Sequence, residues 1–168
     1  MTTAHRSEKT WRDYVKPASI LVISGLLAGG AVYGIKVSLQ STTTTTASTV
    51  QAARAQVQAM SGRTINGATT YGDAVKACHG NIVCVNNAAS TALTAQGAAA
   101  GMVTLNLYPQ ATSILLQNFL DDMVALQKTY LKVSESTTMQ KAYTAMLPWP
   151  GEVLHARADS AALLQILK

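Results

Sequence analysis

The sequence predicts an all-α protein: a single N-terminal membrane helix, a Thr-rich linker, and an exported bundle of about four main helices stapled by one disulfide. Three observations lead there. Nineteen uncharged residues run from Pro17 to Ile35 between Lys16 and Lys36. Beyond residue 50, apolar residues recur at helical spacing, and alternating β-branched or aromatic runs are scarce. Cys78 and Cys84 flank a Gly80-Asn81 break.

Charge is scarce. Only 12% of the 168 residues are Asp, Glu, Lys or Arg, about half of the roughly 25% typical of soluble domains. With 48% hydrophobic residues, the chain is too apolar for an ordinary disordered protein. Eleven Gly and four Pro exclude a collagen-like or Pro-rich chain, and two Cys are too few for a disulfide-dense miniprotein. The net charge of +5 is unevenly placed, because beyond Lys36 eight basic residues face six acidic ones. Lys and Arg nowhere cluster with interleaved aromatics, so no nucleic-acid partner is expected.

Residues 1–16 form a basic tail with Arg6, Lys9, Arg12 and Lys16 against Glu8 and Asp13. Residues 17–35 rise about 28 Å as a helix, enough to cross a hydrocarbon core of about 30 Å. Trp11, Tyr14 and Tyr33 lie where amphipathic rings favour the interface. The Lys/Arg excess before the span keeps the N-terminus cytoplasmic and exports the rest. A cleaved signal peptide would have a shorter apolar run and an A-x-A-like site; Ala28-Gly29-Gly30 is a poor match, so an uncleaved signal anchor is expected. Gly25 and Gly29 are four apart, as are Gly30 and Gly34. Such spacing lets helix backbones approach closely in lipid, and these four glycines are the expected packing site for another membrane helix.

Residues 36–49 contain five consecutive threonines, Thr42 to Thr46, without apolar periodicity, and read as a spacer. Residues 50–168 read as the exported domain. Val50, Ala53, Val57 and Met60 predict a helix over Ser48–Met60 stopped by Gly62, followed by a turn at Asn66-Gly67. A short helix is expected from an N-cap at Thr70 to Cys78. A long Ala/Thr-rich segment follows from Ile82 to Leu107, and the low charge of its stretch from Ile82 to Gly101 implies burial. Pro109 opens a helix over Gln110–Val133 with Leu116, Leu120, Met123 and Tyr130 along one seam. Ala98 to Leu120 is apolar enough to suggest a second membrane pass, but Pro109 and the interrupting Asn and Gln residues favour a buried soluble helix. Thr138–Leu147 is a short amphipathic piece. Leu147-Pro148-Trp149-Pro150-Gly151 breaks it, and a last helix runs from Glu152 to Leu167.

Export places Cys78 and Cys84 in an oxidising compartment, where a structural disulfide is expected. Their spacing fits neither the C-x-x-C of redox enzymes nor a zinc site. The three histidines, His5, His79 and His155, have no evident carboxylate partners. Asp121-Asp122 are adjacent, so their side chains diverge by about 100° on a helix and read as a solvated face. No nucleophile, phosphate-binding or metalloprotease motif occurs. Neither an enzyme nor a cofactor is expected. Trp149, held between two prolines, either caps the core or is presented to a partner, and with Met139, Tyr143 and Met146 it forms the candidate partner surface.

These features predict a non-enzymatic single-pass protein of a bacterial inner membrane with its C-terminal domain in the periplasm. It would be a structural or accessory subunit of an envelope complex, such as secretion or conjugation machinery or a respiratory assembly. Its partners would be other membrane or envelope proteins, itself included, with the bilayer contacted through residues 17–35. The alternatives are an exported ligand-binding or scavenging domain, whose pocket Leu, Met and Tyr would line, and an exclusion or immunity-type protein.

Overall fold

A computed structural model describes residues 46–168. The basic tail, the span at residues 17–35 with Gly25, Gly29, Gly30 and Gly34, and the spacer up to residue 45 lie outside the described residues.

The described part is helical throughout: α1 (Ala47–Ala77), α2 (Ile82–Ala100), α3 (Ser113–Ser134), α4 (Met139–Met146) and α5 (Trp149–Ile166). Two 3-10 turns, Leu105–Leu107 and Gln110–Thr112, lead into α3. The four long helices form an up-down-up-down ring in which α1 packs on α2 and α5, and α3 packs on α2 and α5. The short α4 lies mainly against α3.

The first helix departs from expectation. No break occurs at Gly62 or at Asn66-Gly67, and Thr70 caps nothing; α1 is one helix of 31 residues, about 46 Å long. It begins at Ala47, three residues inside the segment read as spacer, with the Thr46 side chain accepting from the Thr49 N–H. Helix-interior glycines cost about 1 kcal/mol each, but packing on both sides overrides that cost. Met60, Thr64, Ala68 and Tyr71 follow one buried stripe through the glycines. A Cβ on Gly62 or Gly67 would meet nothing within 4 Å, so neither glycine marks a close approach.

The break at His79-Gly80-Asn81 is where the sequence placed it. His79 and Gly80 both have left-handed backbones (φ 47° and 81°), which reverses the chain. Asn81 caps α2 by accepting from the Cys84 N–H at 3.0 Å. Cys78 and Cys84 are joined by the expected disulfide, with Cα atoms 5.5 Å apart. The bridge ties the end of α1 to the first turn of α2. Its loop is short, so replacing both cysteines with serine is expected to cost about 2 kcal/mol, read as a lower urea midpoint with an unchanged slope.

The Ala/Thr-rich segment divides. Helix α2 stops at Ala100, and the expected run to Leu107 is instead a loop and a 3-10 turn. Only one face of α2 is buried, through Val85, Ala89, Ala92, Gln96 and Ala99. Val83, Ser90, Thr91, Thr94 and Ala98 are exposed, so low charge here marks no uniform burial. Small residues at the seam let α2 lie close to α1, where Gln96 Nε2 donates to Thr64 Oγ1 at 3.3 Å. Among the described residues no helix is long and apolar enough to cross a membrane, so the second pass at Ala98 to Leu120 is not formed.

Helix α3 follows its predicted seam. Leu116, Leu120, Met123 and Tyr130 are all buried, joined by Phe119, Leu126 and Val133. Pro109 opens the second 3-10 turn rather than α3 itself, which starts at Ser113. Helix α5 starts earlier than predicted, at Trp149, because Pro150 is tolerated in a first turn whose N–H groups need no helical partner.

Candidate functional site

The bundle has two distinct ends, defined by cross-helix pairs. At one end lie the disulfide, the end of α3, all of α4 and the start of α5. The proline-flanked Trp149 is positioned there by the first turn of α5 and turns inward. Its Nε1 donates to the Tyr130 hydroxyl at 3.2 Å. Its ring meets Tyr71 edge-on at 5.5 Å between centroids, and Tyr71 meets Tyr130 edge-on at 4.9 Å. Gly72 leaves room for the indole, since a Cβ there would lie 3.1 Å from the ring. The three rings thus lock α1, α3 and α5 together. Burial pushes both tyrosine hydroxyls up from their ordinary pKa, so neither ionises near neutrality. The Tyr71 hydroxyl is buried without a hydrogen-bond partner.

The other members of the candidate partner surface divide by helix face. Thr138 caps α4, accepting from the Lys141 N–H at 3.3 Å. Ala142 is fully buried, and Met139 and Met146 are half-buried against the core. Tyr143 is 55% exposed, and Leu147, one turn on, is 77% exposed. Leu154 on α5 and Val83 on α2 are also largely exposed at this end. The four residues singled out by sequence therefore lie at one end of the bundle. Trp149, Met139 and Met146 face the core, and Tyr143 faces outward, beside Leu147, whose exposure the sequence reading did not pick out. An open groove of about 550 Å³ runs between α3 and α4, lined by polar groups including Lys132, Glu135, Gln140 and Lys141. It contains no Leu, Met or Tyr, unlike the pocket expected of a scavenging domain.

The acidic pair on α3 separates, as its spacing requires. Asp121 is exposed and accepts from Gln117 Nε2 at 2.8 Å. Asp122 is half-buried and faces α5, with its Oδ2 buried and unpaired, so it is no part of a solvated face. Burial, and next the carboxyl of Asp159, push its pKa from 3.8 up to about 6, while His155 opposes the rise. About two turns along the seam, Thr129 donates to Glu152 Oε1 at 3.0 Å, leaving Oε2 buried and unpaired. The folded state binds the Asp122 proton more tightly than the unfolded chain does. This contribution is therefore complete below about pH 4 and lost as pH rises through about 6. Asp122→Asn is expected to stabilise the bundle at pH 7 by about 1 kcal/mol, a value reduced for partial exposure, and to flatten stability between pH 4 and 7. Denaturant melts across that range check it.

Among the described residues no group of three or more His, Cys, Asp or Glu is arranged to hold a metal ion. His79 lies in the left-handed turn and His155 is exposed on α5.

At the opposite end Gln56 of α1 does work that sequence reading missed. Its Nε2 donates to the Met102 carbonyl at 2.6 Å and to Thr104 Oγ1 at 3.0 Å. Its Oε1 accepts from the Thr104 N–H and the Tyr108 hydroxyl, at 2.9 and 2.8 Å. One amide thus holds the whole α2–α3 connection; nothing in its spacing marked it. Among known proteins, the chain matches no family model, no curated protein and no solved structure.

Proposed function

We propose that the chain is a non-enzymatic, membrane-anchored subunit whose exported helical bundle joins a larger bacterial envelope assembly. The observation that carries this reading is the charge-free run Pro17–Ile35 between Lys16 and Lys36, followed by a disulfide-stapled bundle. The basic excess before the run and the paired cysteines after it point independently to export. In this reading the glycine pairs Gly25/Gly29 and Gly30/Gly34 pack against a partner helix in the membrane. The α4 end, with Tyr143 and Leu147 exposed, meets a partner outside it. Trp149 then acts indirectly, holding the start of α5 against α1 and α3 from within.

The chain should be extracted from its native membrane in mild detergent and sized. Migration in a complex with other envelope proteins is the expected result. Replacing Gly29 and Gly30 with Leu should weaken that complex, because close backbone approach is lost. A clean monomer after gentle extraction would sink the subunit reading.

A further inference from the structure

The end of the bundle opposite α4 has its own character. Helix α1 starts there, and α5 finishes there: Arg54 Nη1 donates to the Leu167 carbonyl at 3.3 Å. The loop held by Gln56 lies at the same end, bringing Met102, Val103, Leu105 and Leu107, all half-buried. So does the start of α3. Ile114 is 75% exposed there and Ile166, in the last turn of α5, is 53% exposed. That these two share an end follows from the antiparallel α3–α5 seam, where Thr129 meets Glu152 and Asp122 meets Asp159.

The charged side chains at this end are of one sign. Arg54 and Lys168 lie there, and every Asp and Glu of the described residues lies elsewhere. Asp121, Asp122 and Asp159 sit at mid-bundle, and Asp73, Glu135 and Glu152 toward the α4 end. From Ala77 to Leu120 the sequence contains no charged residue at all. The chain also enters at this end. Ten residues, 36–45, separate the apolar run from Thr46, and even fully extended they reach at most about 35 Å.

We propose that this end of the bundle, which carries no Asp or Glu, rests on the bilayer surface, with Ile114 and Ile166 in the interfacial layer and Arg54 and the Lys168 side chain toward anionic headgroups. The inference rests on the reading of residues 17–35 as a membrane span. An exposed apolar group at an interface is removed from water, and basic residues are drawn to anionic lipid while carboxylates are repelled. The bundle would stand end-on, its α4 end held away from the membrane by the length of α1.

The test uses the full chain with its native cysteines oxidised, reconstituted into vesicles of phosphatidylethanolamine and phosphatidylglycerol. Single Ile114→Cys, Ile166→Cys, Tyr143→Cys, Leu147→Cys and Leu26→Cys variants carry a small fluorophore. Nitroxide lipids labelled on the headgroup or the acyl chain serve as quenchers. All four bundle positions are exposed, so the labels leave the fold intact, which circular dichroism verifies. Headgroup nitroxides should reduce emission at 114 and 166 and leave 143 and 147 unchanged, while acyl-chain nitroxides quench at 26. Quenching at 26 with full emission at 114 and 166 would overturn this inference alone. Equal quenching at all four bundle positions would overturn the end-on placement. No quenching at 26 would remove the membrane span and this inference with it.

Discussion

Trp149→Ala is expected to destabilise the bundle by about 3 kcal/mol, near the lower end for truncating a large aromatic because the indole is only half-buried. Three losses combine. The indole leaves a void beside Gly72, the hydrogen bond to the Tyr130 hydroxyl disappears, and the edge contact with Tyr71 is lost. Trp149→Phe should cost less, because a ring still fills the space. The Tyr130 hydroxyl then loses its indole donor, worth about 1 kcal/mol. The neighbouring Tyr71→Phe has the opposite sign: it removes a buried hydroxyl that has no partner, so stability should hold or rise by up to about 1 kcal/mol. Urea melts of the three variants order them Ala, then Phe at 149, then Phe at 71. A Trp149→Ala variant as stable as the parent would show that the three rings do not lock the helices.

Phe119→Ala should cost more, about 4 kcal/mol. Phe119 is the only phenylalanine in the chain, and it is completely buried on α3 among Leu116, Leu120 and Met123. Much of the surrounding core is alanine: Ala53, Ala89, Ala99, Ala142 and Ala156 are all at 0% exposure. Such seams bring helix backbones together but bury little area per residue, so the few large side chains carry a disproportionate share. Their neighbours also have little reach to collapse into a cavity. A domain of this size has a net stability of about 5–15 kcal/mol, so the loss is a large fraction of the whole. It should lower the melting temperature by roughly 10–20 °C.

The same alanine-rich composition explains what could be read from the sequence. The α3 seam was legible because Leu, Met and Tyr repeat there at helical spacing, and those residues are buried as expected. The disulfide was legible from two cysteines astride a Gly-Asn break. Helix α1 was read as two pieces because Gly62 and Asn66-Gly67 are strong local signals. Their cost is offset by contacts with α2 and α5, which local sequence does not display. The exposed face of α2 was misread because Ala and Thr suit both a buried seam and an uncharged surface.

For the candidate surface, position was legible and orientation was not. The prolines around Trp149 signalled a constrained ring, but its inward turn depends on Tyr71, Tyr130 and the room at Gly72, remote in sequence. Adjacent aspartates diverge on a helix, so Asp121 and Asp122 were correctly kept from forming one site. That Asp122 would meet Asp159 required the α3–α5 register. Gln56 was invisible because a lone glutamine on a helix carries no pattern; its role comes from the loop it meets.

An anchored, exported subunit requires the bundle to lie outside the inner membrane. A single cysteine introduced at the exposed Ser90 on α2 decides it, because the native cysteines are paired and do not compete for a maleimide. In intact cells with a permeabilised outer membrane, a membrane-impermeant maleimide should label Ser90→Cys in the full chain directly, as export requires. Labelling only after the inner membrane is ruptured would place the bundle in the cytoplasm and contradict the anchored, exported subunit.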